Sequence, residues 1–104
     1  LLIFGNAMLS GSLLRPETAS VLFSPQSLKD GTSTRYGIGW LIRNDSKERL
    51  AISHTGGSMG GTAHLILYPD ERVVVAVLVN SDQRFIHHAW AIADIFLSDH
   101  PAMR

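Results

Sequence analysis

The most constraining feature of this sequence is an unbroken run of seven apolar residues, Val73 to Val79, five of them valine. Valine is enriched in strands. Because successive side chains of a strand point to opposite faces, a strand that is apolar throughout has to be covered on both faces. The run is much shorter than the roughly 20 residues that a membrane-spanning helix needs. It therefore predicts a central strand of a sheet with other elements packed above and below.

An earlier segment, Tyr36–Ile42, predicts another strand. Its apolar residues alternate, and a period of two is typical of a strand with one buried face. Gly37 and Gly39 share the opposite face, where the lack of side chains leaves room for a neighbouring element to approach closely. Tyr36 and Trp40 are interpreted as core residues of this strand.

Two more strands are predicted between this segment and the valine run. A polar turn over 44–47 leads into the strand Arg49–Thr55, so that these first two strands form a hairpin. A glycine-rich bend over 56–61 precedes a third strand, Thr62–Tyr68, and a turn over 69–72 leads on to the valine run. Strands joined consecutively by short turns indicate an antiparallel sheet of about four strands.

Helices are predicted at both ends of the chain. Residues 1–10 have apolar side chains at helical spacing, and Gly11 follows where a C-terminal cap is expected. A second short helix over 16–23 begins at Pro16, which suits a first turn because it lacks an N–H. After an N-cap signal over 80–82, a final helix that ends before Pro101 is expected to bury a stripe of Phe85, Ala89, Ile92 and Phe96.

These elements make residues 1–104 one α+β domain or part of one, with an antiparallel sheet of about four strands, N-terminal helices and a C-terminal helix packed on it. The chain is 45% hydrophobic and 17% charged, which is enough apolar material for a core. Its formal net charge is zero, which argues against a nucleic-acid partner. Because cysteine is absent, disulfides, cysteine zinc sites and a cysteine nucleophile are excluded.

Three stretches in a fixed order carry a resemblance to a known family. The first, over 13–40, contains Leu-Leu-Arg-Pro-Glu-Thr, Ser-Pro-Gln and Tyr-Gly-Ile-Gly-Trp. The second is His-Thr-Gly-Gly over 54–57, and the third is Tyr-Pro-Asp-Glu over 68–71, followed by the valine run and Asn80. This succession resembles the C-terminal third of serine β-lactamase-related hydrolases, which include class C β-lactamases, penicillin-binding D-Ala-D-Ala peptidases and esterases. The resemblance covers nearly the whole chain and implies a fragment of a β-lactamase-like fold.

The resemblance also implies a site made of four consecutive residues. His54-Thr55-Gly56 is similar to the family's third active-site motif, Lys-Thr-Gly or His-Thr-Gly, so His54, Thr55 and Gly56 are implied to contact the substrate. The backbone N–H of Gly57 is implied to be one of two oxyanion-hole donors, which makes Gly57 and His54 the candidate catalytic residues. Gly56 has no Cβ and lets a substrate lie close to the strand. We expect Arg49–Thr55 to run as an edge strand beside the nucleophile.

The family's nucleophile motif, Ser-x-x-Lys, is absent. Gln26 stands three residues before Lys29, and Asn44 three before Lys47. The second motif, Tyr-x-Asn or Tyr-x-Ser, is absent as well. Both lie upstream in relatives, and the chain opens inside a helical pattern without an initiating Met, so we expect a fragment that is inactive by itself. The full protein is expected to hydrolyse an ester, amide or β-lactam through an acyl-enzyme.

Two other interpretations stay open from the sequence. A protein of this fold that has lost activity would be a non-catalytic binding or scaffold module. Alternatively, residues 56–60 read Gly-x-Ser-x-Gly, the nucleophile elbow of α/β-hydrolases, with Ser58 as nucleophile and Asp94 and His100 as its partners. That elbow needs a helix after its strand, whereas a further strand is predicted here.

The resemblance implies no metal and no organic cofactor. His87 and His88 are adjacent on a predicted helix and therefore diverge, and no other group of side chains has zinc-ligand spacing. The expected partners are a small-molecule or peptide substrate and the N-terminal part of the same domain, which completes the sheet in relatives. We therefore expect an exposed strand edge and a homodimer through it. The location implied by the family is the bacterial periplasm or the cytoplasm.

Overall fold

The computed structural model describes residues 1–81 and 88–98. Within these ranges the elements, in chain order, are α1 (Leu2–Ser10), α2 (Pro16–Leu22), β1 (Leu41–Asn44), β2 (Leu50–Ser58), β3 (Gly61–Tyr68), β4 (Val73–Val79) and α3 (Ala89–Ser98). The strands form one antiparallel sheet in the order β1-β2-β3-β4. The predicted α+β class with four antiparallel strands is confirmed. No helix in this part of the chain has the length and apolar character needed to cross a membrane.

The two N-terminal helices have the ends that their sequences predict. Gly11 caps α1 with a φ of 82°, a left-handed conformation that a residue with a side chain adopts less readily. Pro16 opens α2. Helix α1 packs directly on β4, because a Cβ at Gly5 would come within 2.6 Å of the Cγ1 atom of Val74.

A hydrophobic cluster lies on each face of the sheet. The cluster beneath α1 contains Met8, Trp40, Ile52, Leu65 and Leu67. The cluster beneath α3 contains Ala51, Ile66, Tyr68, Val75, Ala89, Ala93 and Leu97. Strand β4 sends Val74 and Ala76 to the first cluster and Val73 and Val77 to the second. The predicted cover on both faces of this strand is therefore present.

The central position predicted for Val73–Val79 is wrong, since β4 is the last strand of the sheet. Among the described residues, no strand pairs with its outer side. An apolar pattern on both faces reports what lies above and below a strand. It carries no information about neighbours within the sheet plane, which is why the expectation failed.

The first strand is shorter than predicted, because β1 begins only at Leu41. Gly37 donates its N–H to the carbonyl oxygen of Trp40 at 2.7 Å, and Gly39 has a φ of 82°, so this segment is a turn. A Cβ at Gly37 would collide with the carbonyl oxygen of Leu22. The predicted close approach is real, but the approaching backbone is the end of α2. Trp40 is buried, as predicted.

The second strand is longer than predicted. The bend expected over 56–61 is wrong for most of its length, because β2 continues through both glycines to Ser58. The reversal is confined to Met59 and Gly60, between the paired residues Ser58 and Gly61. Glycine has a low strand propensity, but here the ladder with β3 holds Gly56 and Gly57 extended.

The buried stripe predicted for the last helix is partly wrong. In α3 the buried residues are Ala89, Ala93 and Leu97, whereas Phe96 is 53% exposed and Ile92 is also exposed. Alanines on the inner side let the helix lie close to the sheet, so the larger side chains are directed elsewhere. Phe85 and Asp82, the last residue of the predicted N-cap segment over 80–82, lie outside the described residues.

An ion cluster ties the β1–β2 turn to α3. Arg49 contacts Asp45 through Nε at 2.8 Å and Asp94 through Nη2 at 2.7 Å. Asp45 also accepts the backbone N–H groups of Lys47 and Arg49. Burial alone would raise the pKa of Asp45. The N–H and guanidinium groups of Arg49 and the N–H of Lys47 outweigh it and hold that pKa below its usual value.

Candidate active site

Strand β2 has two different halves. Its first residues, Leu50–Ser53, pair with β1. The last pair of that ladder is Leu41 with Ser53, so residues 54–58 pair with β3 alone. The expected edge strand Arg49–Thr55 is therefore an edge only from His54 onward. We call residues 54–58 the open half of β2.

The backbone of the open half turns polar groups outward. Ile42 donates its N–H to Arg35 at 2.8 Å, on the side away from β2. Along an antiparallel ladder, the N–H and C=O groups of successive residues point alternately to the two sides of the strand. The partner of Ile42 is Ile52, whose N–H and C=O groups therefore point toward β3. Those of Ser53, and of every second residue after it, point away from β3. The register thus directs the N–H of Gly57 toward the side where β1 has ended.

His54 is exposed, and both of its ring nitrogens have partners. Nδ1 lies 2.5 Å from the carbonyl oxygen of Thr55, and Nε2 lies 2.7 Å from the hydroxyl of Tyr36. The two rings meet edge to face, with centroids 5.9 Å apart. The interpretation of Tyr36 as a core residue is wrong. Its side chain is 37% exposed and lies over the open half of β2.

Two cavities adjoin the open half. One, of about 610 Å³, is lined by small residues and by the end of β4: Gly56, Gly57, Ser58, Gly60, Gly61, Thr62, Ala63, Leu78, Val79 and Asn80. The other, of about 230 Å³, is lined by Tyr36, Leu41, Arg43, Ser53, His54, Thr55, His64 and Trp90. The second cavity leaves space beside His54, and the first lies over the adjoining ends of β2, β3 and β4, next to Gly57.

The structure brings the four predicted site residues together on one exposed stretch, because they are consecutive in the open half. A Cβ at Gly56 would meet nothing within 4 Å, and one at Gly57 would make ordinary contacts at 3.9 Å or more. Tyr36 was missed as a site residue. It stands 18 positions before its partner His54, and nothing local in the sequence signals that they meet.

The alternative nucleophile lacks its structural context. Ser58 ends β2 and is followed by a tight turn and β3, whereas a nucleophile elbow leads into a helix. Asp94 is engaged by Arg49 and by Lys47, at 2.7 and 3.2 Å. His100 lies outside the described residues. Over residues 1–81 and 88–98, no group of three or more His, Asp or Glu side chains could hold a metal ion.

The sequence is similar to known proteins of one family. A family model described as "Beta-lactamase" matches residues 1–96. A penicillin-binding protein 4* of Bacillus subtilis (strain 168) is 29% identical over 80 residues, which is 77% of this chain. The matched part spans 18% of the length of that relative.

Proposed function

This chain belongs to the beta-lactamase family, and from that premise we propose that it forms one wall of the active site of a serine hydrolase. The preceding region of a longer protein would supply the nucleophilic serine and its activating lysine. The observation that carries the proposal is the outward direction of the Gly57 N–H, on the side of β2 where the pairing with β1 has ended. The likeness to a penicillin-binding protein supports it.

The proposed reaction is acyl transfer in two steps. The serine oxygen attacks the carbonyl carbon of an ester, amide or β-lactam, and the leaving group departs with a proton. Water then attacks the acyl-enzyme and releases the acid. In both steps negative charge collects on the carbonyl oxygen. A fixed N–H that points at that oxygen stabilises the transition state, and loss of one such donor typically costs about a hundred- to a thousand-fold in rate.

The remaining residues of the open half would hold the substrate. Because Gly56 has an unfilled space beside it, the substrate backbone can lie directly against the strand. The outward N–H and carbonyl groups of β2 would bond an extended amide, as strands do when they add to a free edge. Thr55 offers a hydroxyl at the same place, and His54 supports proton movement from above the edge.

The proposal is tested by removing one N–H without removing the residue. In the full-length protein, Gly57→Pro deletes the amide donor at an edge position, where proline is tolerated because the N–H has no ladder partner. Gly57→Ala keeps that donor and is the matched control. We expect kcat for a chromogenic ester to fall about a hundred-fold or more in Gly57→Pro and to change little in Gly57→Ala.

Equal activity of the two variants would remove Gly57 from the oxyanion hole. A full-length protein without a Ser-x-x-Lys motif in its preceding region, and without labelling by a fluorophosphonate probe, would instead favour a non-catalytic module. His54→Ala in the same assay tests the other candidate catalytic residue, for which unchanged activity would exclude a role.

A further inference from the structure

Tyr36 lies in a loop, yet its backbone is held at both ends. Tyr36 donates its N–H to the hydroxyl oxygen of Thr34 at 3.2 Å, and that hydroxyl also lies 3.1 Å from the carbonyl oxygen of Tyr36. Gln26 donates its N–H to the same carbonyl oxygen at 2.9 Å. Tyr36 also forms an isolated bridge with Leu41, the first residue of β1. The loop therefore fixes where the tyrosine side chain begins.

The residue before it has an unusual conformation. Arg35 has a φ of 59°, in the left-handed region that a residue with a Cβ seldom adopts and that costs on the order of 1 kcal/mol or more. Two bonds retain it there. Its N–H reaches the Ser33 hydroxyl at 3.2 Å, and its carbonyl oxygen accepts the Ile42 N–H at 2.8 Å. This kink turns the chain so that Tyr36 faces the open half of β2.

The two contacts of His54 fix where its proton lies. A carbonyl oxygen can only accept a hydrogen bond, so Nδ1 has to carry the proton that it shares with the oxygen of Thr55. In a neutral imidazole the other nitrogen is then an acceptor. The hydroxyl of Tyr36 therefore donates to Nε2 across 2.7 Å.

We propose that Tyr36 is a positioning residue for His54: its hydroxyl holds the imidazole across the open edge of β2 in the Nδ1–H tautomer. The catalytic meaning of this contact rests on the proposed hydrolase function, but the contact itself does not. Both nitrogens of His54 are engaged, so a substrate group that bonds the imidazole has to displace one of these two contacts.

The tautomer can be read directly by nuclear magnetic resonance. The nitrogen-15 chemical shifts of the imidazole separate the protonated from the unprotonated nitrogen in the uniformly labelled 104-residue chain. The measurement is made at about pH 8, well above the usual imidazole pKa of about 6.5. We expect His54 to be mainly Nδ1–H in the wild type and to shift toward Nε2–H in Tyr36→Phe, which lacks only the hydroxyl.

The second tyrosine of the chain supplies the matched control. Tyr68→Phe removes the hydroxyl that lies 3.4 Å from Asp45, and it should leave the His54 pattern unchanged. The ring signals of His64 and His88 serve as internal references in every variant. If Tyr36→Phe does not fold, the wild-type spectrum by itself still shows whether His54 is the Nδ1–H tautomer that the proposal requires.

A wild-type His54 that is mainly Nε2–H overturns the proposal, as does a pattern that Tyr36→Phe leaves unchanged. The outcome is separable from the fate of the hydrolase proposal. For example, His54 could be an Nδ1–H tautomer that depends on Tyr36 while the Gly57→Pro variant keeps full activity. That result would support the positioning role of Tyr36 and refute the oxyanion role of Gly57. In an active full-length protein, we expect Tyr36→Phe and His54→Gln to lower kcat non-additively, since one acts through the other.

Discussion

The two halves of β2 are consecutive in the chain but have different roles. From Leu50 to Ser53 the strand is flanked by β1, and Ala51, Ile52 and Ser53 are buried. From His54 to Ser58 every residue is exposed, and the strand has β3 on one side only. The first half holds the sheet together, and the second presents backbone donors and acceptors to whatever lies beside it.

A neighbouring segment causes the difference. The turn at Gly37–Trp40 keeps the chain from pairing with β2 before Leu41, and the side chain of Tyr36 reaches over the place where a longer β1 would have continued. An inner strand is thus converted into a free edge partway along its length. Comparison of the two halves teaches that an exposed strand edge of this kind arises where the neighbouring strand, here β1, is shorter than the strand it pairs with.

The largest effect is expected where the buried half is anchored. Arg49→Met leaves the Asp45 side chain, which is 7% exposed, without its cation. Removing one partner of a buried ion pair typically costs about 3–5 kcal/mol, and urea unfolding should show a loss of that order.

Lys47→Met is the control for that measurement. Lys47 is 57% exposed and makes a surface pair with Asp94, and such pairs contribute about 0–1 kcal/mol. Equal losses in the two variants would contradict the anchoring role of Arg49.

A second prediction compares one residue from each half. Ile52 is 2% exposed in the cluster beneath α1, and an Ile→Ala change in a core costs about 2–5 kcal/mol. Thr55→Ala on the open half should stay within about 0.5 kcal/mol, as for surface positions in general. Similar unfolding midpoints for the two variants would mean that the halves do not differ as described.

A third prediction concerns two glycines with opposite surroundings. Gly37→Ala forces a methyl group onto the carbonyl oxygen of Leu22, and overpacking of this kind costs about 1–3 kcal/mol. Gly56→Ala meets open space and should change stability by about 0.5 kcal/mol or less.

In the full-length protein, the same Gly56→Ala variant should raise KM, because the methyl group occupies space that we assign to the substrate. Thermal unfolding of Gly37→Ala and Gly56→Ala measures the two stability changes, and steady-state kinetics of Gly56→Ala measures the change in KM. A stable Gly37→Ala chain would show that the turn before β1 can move.

The smallest effect is a dependence of stability on pH. The folded-state pKa of Asp45 is held below its usual value, because the Arg49 and Lys47 groups outweigh burial. A group with a depressed folded pKa contributes stability above its unfolded pKa and loses it as the pH falls through the folded value. The urea midpoint should therefore decline below about pH 4.

Asp45→Asn serves as the reference for the pH experiment. It cannot titrate at this position, so its midpoint should decline less steeply than that of the wild type. The remaining decline belongs to other carboxyl groups, among them Asp94, whose pKa is lowered by the hydrogen bonds from Arg49 and Lys47. Parallel curves for the two proteins would exclude Asp45 as a contributor.

The sequence determined the fold class, the two N-terminal helices and the extended segments that became β2, β3 and β4. These features follow from local causes: apolar periodicity, a proline at a first turn, a glycine at a helix end. The order of strands, the early end of β1 and the meeting of Tyr36 with His54 were decided by tertiary structure. They depend on which segments lie beside each other in the plane of the sheet. Side-chain patterning along one strand reports what covers its faces and is silent about its edges, and in this protein the candidate site is an edge.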